Sequence, residues 1–228
     1  MVSQLDLAGT QLCGIWTDRQ CHQRGTYTAE GITAIADALR VNGALTALNL
    51  SSDCLKDEGV SAVCEAIQSN KETKLASLNF ADNNIGPVGA NAVAAMVAVT
   101  GGLTSLNLAG TTSVDVGWND ITGNVAQELA TVVLSKPTLE IFCNIPIKKL
   151  RADSLSELDL SGKGVGVPGA LVLANLLPVT GGLTSLNLSD NQLCGLDHHG
   201  SGTYTAEGIT AIADALRVNG ALTQVLAF

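Results

Sequence analysis

An α/β solenoid, with a parallel sheet along one side and helices along the other, is the fold class this sequence predicts, on three observations. The first is the unit Leu78 to Ser105, in which Leu78 and Phe80 alternate with polar Asn79 as in a short strand with one buried face. The second is the helical stripe that follows: Ala90, Val93, Ala94 and Val97 fall at the i, i+3, i+4, i+7 spacing of one helix face. The third is recurrence. A strand and a helix of this size cannot bury both apolar faces alone, so each unit needs a neighbour of its own kind.

Taken in order, strands are expected to start at Leu5, Leu48, Leu78, Leu106, Phe142, Leu158, Leu186 and, in degenerate form, Val225. Helices are expected to open at Gly31, Gly59, Gly89, Val125, Gly169 and Gly208. Aligned on those openings, the uneven strand spacings reduce to one period of 28 residues broken by three insertions, in the first, fourth and last repeats. All three leave the repeat between strand and helix, which places them along one edge of the stack. The second repeat carries two extra residues after its helix, in polar SNKETK.

The stripe recurs as Ile32, Ile35, Ala36 and Leu39, as Val60, Val63, Cys64 and Ile67, and as Ala126, Leu129, Ala130 and Val133. It returns as Ala170, Leu173, Ala174 and Leu177, and as Ile209, Ile212, Ala213 and Leu216. The stretch from Phe142 to Leu158 is the exception, because sixteen residues containing Pro146 leave no room for a helix of ordinary length. It reads as a helix-less half repeat near 142–157 that returns along an extended path and leaves a gap in the helical layer. The expectation is one domain over residues 1–228, with six full repeats plus that half repeat.

Copying is visible directly. Gly25 to Thr46 recurs unchanged at Gly202 to Thr223, and Val99 to Leu108 recurs at Val179 to Leu188. The sequence opens on a strand and closes at LTQVLAF without an evident polar cap. Uncapped solenoid ends expose apolar surface, so end-to-end self-association, or a place in a larger array, is one expectation.

Composition narrows the function classes. The core draws on Leu, Ile, Val and Ala, since 46% of residues are hydrophobic and only 3% aromatic. Mean hydropathy of +0.29 does not imply a membrane protein, because the apolar runs near 92–99 and 170–179 fall far short of the ~20 residues that span a bilayer. The start, MVSQLDLAGT, lacks the basic flank and apolar run of a secretory signal, so a cytoplasmic location is expected. A net charge of −9 argues against nucleic-acid binding, which needs a basic footprint. Lys148, Lys149 and Arg151 form the one basic cluster and read as a solvated loop. Six cysteines read as reduced thiols, since Cys64 sits on a helical stripe and Cys13 and Cys194 follow the repeat register in two copies of Gln-Leu-Cys-Gly.

The run LTSLNLSDNQL, from Leu183 to Leu193, together with the 28-residue period, resembles the leucine-rich repeat, specifically the ribonuclease-inhibitor-like subclass. The resemblance covers the chain apart from its insertions. It implies a curved horseshoe segment with a parallel concave sheet and convex helices, and a role in binding other proteins inside the cell. Asn83 and Asn191 match the turn position of the family pattern, Thr10 and Asp53 are plausible substitutes, and Lys163 fits poorly. Relatives include a GTPase-activating protein, but no motif here carries that role over.

No site for chemistry is assembled by the sequence. Gly164, Gly166 and Gly169 match a dinucleotide-binding fingerprint formally, yet Gly166 and Gly169 are the repeat equivalents of Gly86 and Gly89, so the turn into each helix explains them. Cys21 and His22 in the first insertion, and Asp197, His198 and His199 in the last, are too few and too far apart for one metal site. No cofactor and no enzyme activity are expected.

Two surfaces remain for a protein partner. Asn49, Asn79, Asn107, Asp159 and Asn187 alternate with the buried leucines and should form a polar ladder on the concave sheet. Trp16, Tyr27, Trp118 and Tyr204 belong to or border the insertions and should lie along the edge those insertions share. The reading is a protein-interaction scaffold using either surface; the alternatives are a structural module held through its ends, or a GTPase-regulating protein.

Overall fold

The computed structural model describes residues 2–17, 23–110, 119–196 and 202–227. The repeat strands are β1 (Gln4–Asp6), β4 (Ala47–Asn49), β5 (Ser77–Asn79), β6 (Ser105–Asn107), β7 (Ile141–Phe142), β8 (Glu157–Asp159), β9 (Ser185–Asn187) and β10 (Gln224–Leu226). Between them run the helices α1 (Glu30–Leu39), α2 (Lys56–Ser69), α3 (Pro87–Val99), α4 (Gly123–Ser135), α5 (Ile147–Arg151), α6 (Gly166–Leu176) and α7 (Glu207–Val218). All repeat-strand pairs are parallel, and the leucines stack in register: Leu5, Leu48, Leu78, Leu106 and Phe142 in one sheet, Leu158, Leu186 and Val225 in another. Each of these side chains except those of Leu5 and Val225, in the two end strands, is buried. The stack is therefore held by layers of leucine roofed by helices, as the 28-residue period requires.

The helix stripes form the other wall. Ala90, Val93, Ala94 and Val97 of α3 and Ala126, Leu129, Ala130 and Val133 of α4 are all buried in one continuous core. The helices start one to three residues ahead of the expected openings, and the N-termini of α3 and α4 are met by carboxylates of neighbouring helices. Asp57 of α2 accepts hydrogen bonds from the amides of Gly86 and Gly89 at 2.7 and 2.9 Å, placing a carboxylate at the positive end of α3. Glu207 of α7 does the same for the amide of Gly123 at the start of α4, at 3.0 Å.

Three expectations need correction. The half repeat is not helix-less: Ile147–Arg151 forms the short helix α5, which buries Ile147 and Leu150. Pro146 precedes this helix, where a missing N–H costs nothing. Nor is there a gap in the helical layer, since α4 packs directly against α6. The gap is in the sheet instead. It divides into the orders β1-β4-β5-β6-β7 and β10-β9-β8, with no pairing between β7 and β8. After Phe142 the chain reverses through Cys143 and Asn144, both at positive φ, and Ile145 returns to bridge Phe142.

The basic cluster is likewise not a solvated loop. It lies on α5, where the Arg151 guanidinium donates to the carbonyls of Leu134 (2.8 Å) and Lys136 (3.0 Å) and so satisfies the open C-terminus of α4. Lys148 pairs with Glu140. Lys149 is exposed.

Candidate interaction surfaces

The sheet face carries the asparagines at the expected register, in two groups. Asn49, Asn79 and Asn107 pair side by side in one sheet, and Asp159 pairs with Asn187 in the other. Their side chains do not bond one another. Each Oδ1 accepts the backbone amide two residues on: Ser51 for Asn49, Ala81 for Asn79, Ala109 for Asn107, Ser161 for Asp159 and Ser189 for Asn187, at 2.9 to 3.2 Å. They are Asx turns that bend the chain out of each strand. The amide and hydroxyl of Ser161 hold the Asp159 carboxyl below the usual carboxylate range.

A second set of side chains, only partly legible in the sequence, joins one repeat to the next. Asn83 accepts the amides of Asp53 and Leu55 and donates to the Leu50 carbonyl at 2.7 Å. Asn119 accepts the amides of Asn83 and Ile85 and donates to the Phe80 carbonyl. Asn191 accepts the amide of Val165 and donates to the Leu160 carbonyl. The insertion before Asn119 displaces it from its nominal place in the repeat and hides its membership of this series. Its Asn-Asp-Ile matches Asn83-Asn84-Ile85, which is the signal that identifies it. At Lys163 the pattern does fail, and the Lys163 carbonyl is held by Asn144 instead.

The insertion edge is built by local pairing. Ile15–Thr17 (β2) and Gln23–Gly25 (β3) form an antiparallel hairpin with Trp16 opposite Arg24. Trp16 is 44% exposed. Tyr27 is not a free contact residue: its ring packs on the core, its hydroxyl donates to the Leu55 carbonyl at 2.9 Å, and Lys56 Nζ lies 4.5 Å from the ring centre. It latches the hairpin to the second repeat. Burial and the neighbouring Cys13 push its phenol pKa up. Tyr204, the copy of Tyr27, is 67% exposed. Trp118 lies outside the described residues, as do Cys21, His22, Asp197, His198 and His199. Where the last two insertions rejoin the repeats they touch, with the Thr203 hydroxyl donating to Asp120 at 2.7 Å.

Among the described residues no group of His, Cys, Asp and Glu side chains could hold a metal ion, and no helix is long and apolar enough to cross a membrane. Cys13, Cys54, Cys64 and Cys143 are buried free thiols, and Cys194 is a partly exposed one. Gly164 has a structural reason to be glycine: its φ is +62°, and a Cβ there would lie 2.1 Å from the Gly110 carbonyl oxygen. Gly169 packs against Val165 and Ile145.

Comparison with known proteins agrees with this geometry. Models described as Leucine Rich repeat match residues 44–64 and 71–94, and one described as Leucine Rich Repeat matches residues 182–202. The fold is a leucine-rich-repeat solenoid. No curated protein sequence matches. Among solved structures, the actin-binding site 2 of leiomodin-1 aligns with a TM-score of 0.46 and 19% identity, over 61% of this chain and 68% of that one. The tropomodulin C-terminal domain of Caenorhabditis elegans aligns with a TM-score of 0.42 and 14% identity, over 82% and 92%. Likeness at this level carries no inference about a shared partner.

Proposed function

We propose that this solenoid is a non-catalytic protein-interaction scaffold of the ribonuclease-inhibitor-like kind, acting in the cytoplasm as a single domain. In this reading the partner is recognised first by the insertion-bearing edge, through Trp16, Trp118 and Tyr204, and second by the sheet face. The observation that carries it is the first hairpin: an exposed indole is presented on a short β-ribbon that Tyr27 fastens to the next repeat. A pre-ordered aromatic is the kind of group that supplies binding energy without a large ordering cost. The sheet asparagines contribute less in this reading, since their acceptor oxygens already serve their own turns.

The test is capture of the native partner by the folded chain and by Trp16→Ala and Trp118→Ala variants. A loss of about tenfold or more in affinity is expected for at least one variant. Undiminished capture by the double variant would remove the edge, and Asn79→Ala with Asn107→Ala would then examine the sheet face. A GTP-turnover assay addresses the GTPase-regulating alternative, and no observation in the structure favours it.

A further inference from the structure

The outer face of the helical wall changes character in its middle. Aligned by repeat, Glu30 of α1, Glu58 of α2 and Glu207 of α7 share one position with Val88 of α3, and Asp37, Glu65 and Asp214 share another with Ala95. α3 carries no charged residue at all. Its solvent side is formed by Val88, Asn91, Ala95, Ala98 and Val99, all exposed.

Along that face runs a groove of about 510 Å³ between α3 and α4. Ala94, Ala95 and Ala98 form one bank, and Glu128, Thr131 and Val132 form the other. α2 packs on α3 from one side and α6 on α4 from the other, so both banks belong to internal repeats. Alanine side chains are short, so a second backbone can come close to α3. An extended strand laid there would set its amides and carbonyls against methyl groups, whereas a helix has already satisfied its own.

Charge selects the kind of helix. Glu128 lines the groove, and Glu58 and Glu65 stand exposed on α2, on the other side of α3. None of the three has an ion-pair partner among the described residues. The cation that follows α4, Lys136, is engaged by the Ala98 carbonyl. We propose that the groove receives an amphipathic helix of a partner protein, with small apolar residues against the alanines of α3 and Lys or Arg residues on its flanks, toward Glu128 on one side and Glu65 on the other. A second copy of this chain is a poor occupant, because each copy has a net charge of −9 and like charges would meet at Glu128. The contact is separate from the insertion edge and uses none of Trp16, Trp118 and Tyr204.

The experiment measures fluorescence anisotropy of labelled synthetic peptides of about 18 residues, long enough to form a helix on binding, titrated with the full chain. One peptide has an Ala/Leu face flanked by Lys, a second has the same apolar face flanked by Glu, and a third is the Lys peptide with a central Pro. The Lys peptide is expected to bind one-to-one and more weakly as salt rises, and the other two to bind at least tenfold more weakly. Ala95→Gln, a neutral change inside the groove, is expected to weaken the Lys peptide about tenfold. Ala34→Gln, the same change at an exposed position of α1 outside it, is expected to leave binding unaltered, as are Trp16→Ala and Trp118→Ala. Glu128→Lys should weaken the Lys peptide about fivefold and strengthen the Glu peptide. Far-UV circular dichroism checks that every variant folds. A Lys peptide that does not bind, that binds the folded Ala95→Gln chain as well as wild type, or that loses affinity equally with Ala34→Gln would overturn the proposal. So would a Glu or Pro peptide that binds as well as the Lys peptide, loss of binding in the Trp variants, or a wild-type dimer in sedimentation that Ala95→Gln dissociates, which would make a second copy the occupant.

Discussion

Asp53 stands where Asn83, Asn119 and Asn191 stand in later repeats, and the difference between a carboxylate and a carboxamide has consequences there. Each asparagine accepts amides from the preceding turn with Oδ1 and donates with Nδ2 to a strand carbonyl. Asp53 Oδ1 accepts from Leu12 N and the Thr10 hydroxyl, both at 3.4 Å, but its buried Oδ2 has no partner. Burial pushes its pKa up from 3.8 to about 6. The folded state thus binds a proton more readily than the unfolded one, so stability is greatest below pH 4 for this group and falls as pH rises from 4 to 6. The shift corresponds to roughly 3 kcal/mol at pH 7.5. Asp53→Asn, which can donate toward the Leu7 carbonyl, is expected to raise stability at pH 7.5 by that order and to remove the pH 4–6 slope from urea unfolding. An unchanged slope would assign it to other groups. The thiols make a separate check. Burial raises the Cys13 pKa to about 11 and that of Cys143 to about 12, so iodoacetamide is expected to label Cys194 well before either in the native chain.

At the scale of elements, two hydrogen-bond series link each repeat to its predecessor. One is the asparagine series between the turns. The other lies at the opposite ends of the helices, where Asn70 donates to the Leu39 carbonyl at 2.7 Å, Lys136 donates to Ala98, Arg151 donates to Leu134, and Asn219 donates to Leu177 at 2.6 Å. Each side chain closes the C-terminus of the helix before it. Arg151→Ala is expected to lower stability by about 2 kcal/mol by leaving those α4 carbonyls open, measurable as a shift in urea midpoint at constant slope. The half repeat shortens the stack at one point, so that the turn of the sixth unit meets the turn of the fourth. Gly164→Ala puts a methyl group against the Gly110 carbonyl and an L residue at positive φ, and about 3 kcal/mol of destabilisation is expected. Gly162→Ala, at φ +62° with nothing near its Cβ position, separates the backbone contribution from the steric one, and an equal loss at both positions would dismiss the contact.

Over the whole molecule, the sheet is interrupted but the helical wall is not, so the two sheet segments are tied by α4 against α6. Amide exchange is expected to be slowest in β5 and β9, which are paired on both sides, and fastest in the end strands β1 and β10. The expectation fails if β1 and β10 are as protected as β5 in dilute solution.

Periodicity made the strands, the leucine register and the six long helices legible, because burial on one face fixes the spacing of apolar residues along the chain. It also located all three insertions, since a displaced helix opening is visible in sequence. The strand pattern places residues such as Asn49 and Asp159 on the sheet but not the turn amides they accept, as it tells which side a group faces and not which amide it reaches. Only the tertiary structure decided that the sixteen-residue unit breaks the sheet and spares the helices, that Tyr27 is a latch while its copy Tyr204 is open, and that Asp53 is buried short of a partner. Those facts depend on which repeat stands next to which, and identical stretches of sequence acquire different roles when a different side of each is covered.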